Sequence, residues 1–451
     1  MSATTFDFAH LSPKMISEII DKMVSEMDDK TFDAFLNFII AYYDYAVKHK
    51  MNKSVKNLCD SNPLVGVLAN HICGEYMPKQ WKVIVLADKA KCDELFGKSR
   101  EAEKNGDFEA ATAFKNEAKK LLPFCNPNNI AYNQIQAIRC YTYNPEKECI
   151  VFAKKTTYQE VLEARREIKS YITRYPRTKV YIVNGSITDS MRKLKDCFNC
   201  VAANQWDIGG GHSNGKMAQE EAIFYTLYTK PVYDALIPIY GGKPIGENWV
   251  GFDGIGLGSC VGAYGVSVVF DDTHDYAIFP VEKQRKINLL FNASTDLTLL
   301  SKEELAQYEK EIKDYDKFNL FMILDFAATE GVRNLNISAP GCGVFKHDPK
   351  WVSKCLKELI EGPFNGVFEN VVITLSGNPV KDTNILAFKE TFGITDFATV
   401  DEDGNITGPA VVLEALEEAK AYDPVMTPEI EAFLKCLNEA YDKKLKAKLG
   451  M

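Results

Sequence analysis

Segments with strand-like and helix-like patterns alternate along the chain from about residue 138 to residue 375. Short runs rich in β-branched and aromatic residues, such as 179–183 and 371–375, predict strands, and most segments between such runs repeat apolar residues at helical spacing. This order builds a mostly parallel or mixed sheet with helices on both faces, and such sheets bind ligands at the carboxyl ends of their strands. We therefore predict a three-layer α/β/α fold around a mixed sheet, with the functional residues in the loops that follow the strands.

Helical segments flank this alternating region at both ends. Residues 1–122 are predicted to form a helical extension, residues 123–398 the α/β core and residues 399–451 a C-terminal helical cap. The predicted strands are 138–143, 149–153, 179–183, 198–203, 266–270, 276–280, 287–291, 334–338 and 371–375, and the predicted helices of the core and cap are 158–174, 216–228, 303–326, 349–360, 411–422 and 428–449.

Composition and charge limit the class of partner. The chain has 451 residues, 46% of them hydrophobic, which suffices to bury a large core, and its formal net charge is -9. Because nucleic-acid backbones are bound through clustered Lys and Arg, no nucleic-acid polymer is expected as a partner. The 12 cysteines are scattered, which is typical of a reducing compartment.

The N-terminal segment and the apolar runs bear on location. No secretory signal pattern is visible at the N-terminus, and apolar runs such as 38–43 are too short to span a bilayer. We expect a cytoplasmic protein without a membrane partner, and this location also fits a bacterial protein delivered into a host cytosol by a non-classical route. Cys197 and Cys200 form a CxxC pair without a second pair at zinc-site spacing, so neither a metal nor a cofactor is predicted.

Three loops after predicted strands carry residues suited to a small anion. They are NGSIT at 184–188, the segment 203–211 that ends in three glycines, and APGCGVF at 339–345. Glycine lets backbone N–H groups approach phosphate oxygens, and a helix that begins after a loop directs its positive end toward the same anion. Two glycine loops together predict a diphosphate ligand.

Two adjacent carboxylates, Glu220 and Glu221, follow the glycine run at the predicted start of a helix. Acids are common in first helical turns for electrostatic reasons, so the pair alone indicates only a helix N-terminus. Beside a sugar-phosphate loop the same pair suits cleavage of a ribosyl bond, because a carboxylic acid can protonate the leaving group and then, as a carboxylate, activate water.

The order of these motifs resembles the macrodomain family, whose members bind ADP-ribose, and in particular the short microbial form of poly(ADP-ribose) glycohydrolase. The resemblance covers roughly residues 153–378. It is carried by AAN at 202–204, by GGG at 209–211 followed after seven residues by QEE at 219–221, and by SAPGCGVFKHDP at 338–349.

The resemblance implies a role for each matching residue. It implies that Glu221 is the catalytic acid, that Glu220 and Gln219 orient the ribose, and that Asn204 contacts the distal ribose. It also implies that the loop at 341–345 wraps the diphosphate, with its aromatic residue beside the distal ribose, and that NGSIT lies on the adenosine side. The catalytic residues implied are Glu221 and Glu220, and the ligand-binding residues are Asn204, Asp207, Gly209, Gly210, Gly211, Gln219, Ser186, Ile187, Gly341, Cys342, Gly343, Val344 and Phe345.

The chain departs from the family pattern at several positions. Macrodomains often have aspartate where Ser186 stands, in contact with the adenine amino group. The single-aspartate hydrolases of the superfamily carry an acid where Asn214 stands, so their mechanism is not expected here. Ile208 replaces the proline that usually precedes the triple glycine, and Asp207 before it is expected to place an extra carboxylate near the ribose.

The resemblance leaves more than one function open. An ADP-ribosyl glycohydrolase, acting on the ADP-ribose of modified proteins or on the polymer, is the main prediction, and the helical extension is expected to dock a specific protein. A module that binds ADP-ribose without cleaving it is the alternative, and a scaffold without affinity for ADP-ribose is a third class. Two further segments stand apart: DDTHD at 271–275 predicts a polar hairpin turn, and 240–264 predicts a substrate-facing flap or an irregular connection.

Overall fold

The structure is a computed structural model of the 451-residue chain. It describes residues 149–167, 171–212, 216–241, 243–245, 248–250, 254–273, 276–413, 422 and 424–449, together with scattered positions before residue 149. The chain divides into two compact units, one of residues 1–144 with 211–217 and the other of residues 145–210 with 218–451. The second unit contains the sheet and is the one described below.

Strands and helices alternate through the second unit, as the sequence predicts. The strands are β1 (Phe152–Thr156), β2 (Lys179–Asn184), β3 (Cys197–Ala202), β4 (Lys243–Ile245), β5 (Asn248–Val250), β6 (Cys260–Val268), β7 (Phe270–Asp271), β8 (Ala277–Ile278), β9 (Arg285–Asn292), β10 (Asn334–Ile337), β11 (Asn370–Leu375), β12 (Thr399–Val400), β13 (Ile406–Thr407) and β14 (Val411–Val412). The α-helices are α1 (Tyr158–Glu167), α2 (Ile187–Lys193), α3 (Gln219–Phe224), α4 (Lys230–Leu236), α5 (Lys302–Gln307), α6 (Glu309–Thr329), α7 (Pro349–Glu361), α8 (Thr383–Phe392) and α9 (Pro428–Leu449).

Eight strands form one mixed sheet in the order β1-β6-β9-β3-β10-β11-β2-β14. The central strands β9, β3, β10, β11 and β2 are parallel to one another, whereas β6 is antiparallel to β9 and β14 is antiparallel to β2. The carboxyl ends of the five parallel strands therefore lie at one edge of the sheet.

Alternate residues of the central strands face opposite sides of the sheet. Phe198 and Leu290 belong to a core cluster with α6, α7 and α8, and Val201 and Phe291 belong to a second cluster with α2, α3 and α4. Because strand side chains point alternately to the two faces, both faces are buried by helices. The predicted three-layer mixed α/β fold is confirmed.

Local sequence signals set the helix ends near this edge. The Asp348 side chain accepts a hydrogen bond from the Lys350 N–H, and Pro349 occupies the first position of α7. Helix α8 begins at the cap Asp382 and ends before Gly393, which adopts a left-handed φ of 66°. None of the helices in the described part of the chain is long and apolar enough to cross a membrane.

Most of the predicted core elements that fall on described residues are confirmed within a few residues, and three predictions were wrong. The strand predicted at 138–143 is helical at the described positions Cys140 and Tyr141, and the helix predicted at 158–174 ends at Glu167. The helix predicted at 411–422 begins instead with β14, which pairs with β2, because short β-branched runs fit a strand as well as a helix. The segment 240–264 is not irregular throughout, since it contains β4, β5 and the start of β6, and its role as a substrate-facing flap stays a prediction. The predicted extension 1–122 lies almost entirely outside the described residues.

Candidate active site

The loops predicted to carry function leave the same edge of the sheet. Residues 185–186 follow β2, residues 203–210 follow β3 and residues 338–348 follow β10, and the three strands are parallel. A fourth loop, residues 293–296, follows β9 at the same edge and had no functional prediction. We call residues 203–210 the first loop and residues 338–348 the second loop.

The carboxylate of Glu220 is buried beneath the first loop. Its Oε2 accepts a hydrogen bond of 2.7 Å from the N–H of Asn204, and its Oε1 accepts one of 3.0 Å from the N–H of Gly209. Glu220 is only 3% exposed. This burial, together with the charge of Glu221, raises the pKa of Glu220 well above its usual range. Glu220 therefore fixes the loop and holds a proton more tightly than an exposed glutamate does.

The carboxylates of Glu220 and Glu221 converge at Gly210. A Cβ atom added at Gly210 would lie 2.7 Å from Oε1 of Glu221 and 2.9 Å from Oε2 of Glu220. Glu221 is 7% exposed, and its Oε2 accepts a hydrogen bond of 3.0 Å from the N–H of Ala218, before the start of α3. Only glycine leaves room for both acids at this point, so the glycine run is a steric requirement of the acid pair.

Gln219 anchors α3 to the end of β3. Its Oε1 accepts a hydrogen bond of 2.8 Å from the N–H of Ala202, and its Nε2 donates one of 2.8 Å to the carbonyl of Cys200. Strand β10 pairs with β3 only as far as Asn199. Beyond Asn199, the side-chain amide of Gln219 makes the hydrogen bonds to β3 that a peptide group of β10 would otherwise make. The amide that the resemblance assigns to the ribose thus holds the acid pair at the end of the strand.

The first loop is closed by its own side chains and backbone. The Oδ1 of Asn204 accepts hydrogen bonds from the N–H groups of Trp206, at 2.8 Å, and of Asp207, at 3.0 Å. The N–H of Gly210 donates a hydrogen bond of 3.0 Å to the carbonyl of Asp207. Asp207 itself is exposed. The N–H groups of Gly209 and Gly210 are therefore used inside the protein, which differs from the expected role of the glycines as phosphate donors.

Gly209 and Gly210 both adopt left-handed φ angles, of 73° and 58°. A Cβ atom at Gly209 would lie 2.7 Å from the ring of Phe224, the last residue of α3, which packs in the core. Gly211, the third glycine, belongs to the other compact unit, where a Cβ atom would lie 2.3 Å from the side chain of Lys216.

The loop after β2 presents mostly backbone and hydroxyl groups. Ser186 caps α2 by accepting a hydrogen bond of 3.3 Å from the N–H of Thr188, whereas the side chain of Ile187 is 6% exposed and lies in the core. The hydroxyl of Thr188 donates to the carboxylate of Asp272, a hairpin residue whose pKa is raised by burial. A carboxylate therefore reaches this loop from a distant part of the chain.

The second loop has a buried base and an exposed tip. Gly341 has a φ of 74°, Gly343 and Val344 are exposed, and the carbonyl of Phe345 accepts a hydrogen bond of 3.3 Å from the N–H of Leu297 in the loop after β9. Burial raises the pKa of the Cys342 thiol, so this side chain stays protonated near neutral pH and is no activated nucleophile.

A buried histidine connects the second loop to α6 and to the loop after β9. The Nδ1 of His347 lies 2.7 Å from Oδ1 of Asp316, and its Nε2 lies 2.7 Å from the carbonyl oxygen of Thr295. The ring also fills the space over Gly341, where a Cβ atom would lie 2.5 Å from Cδ2. Sequence reasoning had no signal for this contact, because its members come from three separate segments.

Two aromatic residues near the first loop were also not predicted. Trp206 stacks on Tyr441 of α9, with ring centroids 5.1 Å apart and an interplanar angle of 21°. Tyr240 is fully buried, its hydroxyl has no hydrogen-bond partner among the described residues, and its pKa is raised by burial and by the charges of Glu220 and Asp207. The C-terminal helix therefore supports the first loop directly.

The structure thus brings one group of predicted residues into a single cluster: Asn204, Asp207, Gly209, Gly210, Gln219, Glu220 and Glu221. The second loop and the loop after β2 share its sheet edge. In the described part of the chain, no group of three or more His, Cys, Asp or Glu side chains is placed to hold a metal ion. The cluster offers two buried carboxyl groups at the surface of a glycine turn, which is an arrangement for acid–base chemistry.

Comparison with known proteins gives structural neighbours only. No protein-family model matches the chain, and no curated protein matches it. The fold is similar to the crystal structure of poly(ADP-ribose) glycohydrolase from Thermomonospora curvata, with a TM-score of 0.45, 19% identity, and coverage of 58% of this chain and 88% of that one. It is also similar to the Deinococcus radiodurans poly(ADP-ribose) glycohydrolase in complex with ADP-ribose, with a TM-score of 0.43, 20% identity, and coverage of 53% and 94%.

Proposed function

We propose that this protein is an ADP-ribosyl glycohydrolase, which binds ADP-ribose at the carboxyl edge of the sheet and cleaves the ribosyl bond that joins it to a protein side chain or to the next unit of the polymer. The observation that carries the proposal is the convergence of the Glu220 and Glu221 carboxylates at Gly210. The order of AAN, GGG and QEE in the sequence supports the choice of ADP-ribose as ligand.

The two carboxyl groups take different roles because they have different partners. Both oxygens of Glu220 accept backbone N–H groups of the first loop, so Glu220 holds the loop in place beside the sugar. Glu221 is the acid: its proton passes to the leaving atom as the bond to the anomeric carbon breaks. Water then bonds to that carbon and returns a proton to Glu221, which restores the acid.

The remaining groups of the edge orient the substrate. The diphosphate is bound by the second loop and serves as a handle, so that its binding energy aligns the ribosyl bond with Glu221. The carboxylate that Glu221 becomes when it gives up its proton also stabilises the positive charge that develops at the anomeric carbon. In this scheme Asn204 and Asp207 lie beside the ribose, and neither a metal nor a cofactor takes part.

The test is release of free ADP-ribose, measured by mass spectrometry, from proteins modified on arginine, serine or glutamate and from the polymer. Glu221→Gln should reduce release by at least about 100-fold, the size of a general acid–base contribution, while calorimetry shows affinity for ADP-ribose close to wild type. Glu303→Gln is the matched control, because Glu303 is also an acid in the first turn of a helix but is exposed on α5. Equal release by wild type and Glu221→Gln would overturn the role of Glu221.

One observation favours a second function. Because both oxygens of Glu220 and one of Glu221 accept backbone N–H groups, the acid pair also has a purely structural use in shaping the loop. A module that binds ADP-ribose without cleaving it would use the pair in this way alone. Measurable ADP-ribose affinity without release from any of the four substrates would establish this second function, and absence of affinity would exclude both.

A further inference from the structure

We propose that His347 is a positioning residue for substrate binding: through Asp316 and Thr295 it holds the second loop in the conformation that binds the anionic part of the substrate. This inference rests on the proposed function, since it assigns the second loop to the diphosphate. Loss of His347 should weaken substrate binding and leave the chemical step, which uses the first loop, nearly unchanged.

Both ring nitrogens of His347 face acceptors. Nδ1 lies 2.7 Å from the Asp316 carboxylate and Nε2 lies 2.7 Å from the Thr295 carbonyl, with the Thr295 hydroxyl at 3.2 Å. Nδ1 makes no directed hydrogen bond within the described part of the chain, so its contact with Asp316 is an ion pair, and only the doubly protonated imidazolium carries the charge for this pair while Nε2 donates to Thr295. His347 is 3% exposed and Asp316 is 7% exposed, so water does not substitute for either contact.

The ring sets the shape of the loop as well as its attachment. It occupies the position that a side chain at Gly341 would take, and the N–H of His347 donates to the carbonyl of Gly341 at 3.1 Å. The carbonyl of Phe345, four residues after Gly341, accepts a hydrogen bond from the N–H of Leu297, which lies two residues after Thr295. The second loop is therefore fixed on both sides of its exposed tip, at 343–344.

The contact also joins strands that are not neighbours. Strand β3 lies between β9 and β10 in the sheet, yet the loops that follow β9 and β10 meet at Thr295 and His347. Asp316 lies on α6, and α6 packs against α7, which starts at Pro349 just after the histidine. Movement of the histidine would consequently shift the second loop and the N-terminus of α7 together.

The charges around the pair favour the imidazolium. Burial opposes the charged form of His347, but Asp316 and the Thr295 carbonyl outweigh it, so that the pKa of His347 is raised. The other titratable or charged groups around the pair include Asp296 in the loop after β9, Cys342 in the second loop, Asp348 and Cys355 at and within α7, and Tyr315 and Lys317 of α6, of which Lys317 pairs with Glu358 of α7 at 2.8 Å.

The raised pKa gives the contact a pH dependence with a definite sign. The imidazolium contact is fully present below the ordinary histidine pKa of 6.5 and is lost as pH rises through the raised value. Substrate affinity should fall over that range in the wild type. In Asp316→Asn the fall should move to lower pH, because burial then opposes the imidazolium without compensation.

The experiment compares wild type, His347→Ala, Asp316→Asn and Lys317→Gln as full-length proteins. Lys317→Gln is the matched control, since it breaks an ion pair between α6 and α7 one residue away from Asp316. Hydrogen exchange of the amides of residues 338–348 at about pH 6 and pH 9 reports on the loop without any ligand. Calorimetry with ADP-ribose and the release assay give the dissociation constant, kcat and KM across the same range.

The expected result is faster exchange of the loop in His347→Ala at both pH values, a rise of about tenfold in KM and in the dissociation constant, and a kcat within a factor of about three of wild type. After correction for the intrinsic pH dependence of amide exchange, the protection of the wild-type loop should fall between the two pH values, and Lys317→Gln should behave like wild type. If His347→Ala does not fold, the shifted pH profile of Asp316→Asn carries the test alone.

The outcomes separate this proposal from the proposed function. Unchanged loop exchange in both His347→Ala and Asp316→Asn would overturn the positioning role, whether or not ADP-ribose binds. Changed exchange without any ADP-ribose affinity would keep the positioning of the loop but refute its assignment to the substrate together with the proposed function. A loss in kcat with unchanged KM would also refute the proposal, because it would place His347 in the chemical step.

Discussion

A methyl group at position 210 is the sharpest perturbation of the acid pair. In Gly210→Ala the new Cβ would lie 2.7 Å from a carboxylate oxygen of Glu221 and 2.9 Å from one of Glu220, and the backbone would keep its left-handed φ of 58°. The left-handed conformation costs an alanine about 1–2 kcal/mol. Carbon and oxygen do not approach this closely without strain, so both carboxylates must also move by several tenths of an ångström.

Gly393→Ala separates the two costs. Gly393 ends α8 with a φ of 66°, and a Cβ atom there would meet no atom within 4 Å. It therefore measures the backbone cost alone, about 1–2 kcal/mol, or roughly 2–8 °C in Tm at about 2–4 °C per kcal/mol. The extra loss in Gly210→Ala is the cost of displacing the two acids.

The activity of the two variants should differ more than their stability. A misplacement approaching 1 Å at a catalytic group costs up to about 100-fold in rate, equivalent to about 2.7 kcal/mol in the activation free energy. We expect Gly210→Ala to lose about 10- to 100-fold in kcat/KM for ADP-ribose release, with Gly393→Ala close to wild type. Chemical denaturation and the release assay measure both effects. Equal stability losses in the two variants, with release by Gly210→Ala unchanged, would refute the convergence of the acids at Gly210.

Three further predictions concern the support of the site. Gln219→Ala removes two hydrogen bonds to the end of β3 and should lower the free energy of unfolding by about 1–3 kcal/mol; a denaturation midpoint equal to wild type would contradict the anchoring role. Trp206→Ala removes the stack on Tyr441, which contributes about 0.5–1.5 kcal/mol beyond the buried area, and should raise KM more than it lowers kcat. The double variant Trp206→Ala/Tyr441→Ala should lose less free energy of unfolding than the two single variants lose in sum. Burial raises the pKa of Glu220, so its contribution to stability is present below its ordinary pKa of 4.5 and is lost as pH rises through the raised value. Denaturation of wild type and Glu220→Gln between about pH 4 and pH 8 should therefore show that the wild type loses stability relative to the variant. A stability difference that stays constant over this range would count against the raised pKa.

The fold was predictable where the sequence pattern has one structural meaning. The helix predicted at 428–449 and the strand predicted at 371–375 both occur, with bounds Pro428–Leu449 and Asn370–Leu375. A long periodic segment fits a helix alone, and a short β-branched run that is bounded by turn residues favours a strand. The pattern at 411–412 fits a helix or a strand, and only the free edge of β2 decides that Val411 and Val412 form β14.

The site was predictable where its residues are close in sequence. The first loop and the acid pair lie within 18 residues, from Asn204 to Glu221, and a local motif can specify them. The use of each group was not predictable, since the pattern cannot tell that Glu220 takes the N–H groups of Asn204 and Gly209 or that the amide of Gln219 extends the edge of β3. Those partners depend on how the first loop and α3 pack against the end of β3.

The sequence by itself determined the alternation of elements, the sheet edge from which the loops with the predicted ligand-binding residues leave, and the residues of the acid pair, because periodicity and short motifs are local properties of the chain. Tertiary structure alone decided which distant groups meet at that edge. Asp316 and Thr295 reach His347, Asp272 reaches Thr188 and Tyr441 reaches Trp206 from separations that no motif spans. Hydrogen bonds, ion pairs and ring stacks act over a few ångströms, so contacts between distant segments exist only after the sheet and its helices have packed.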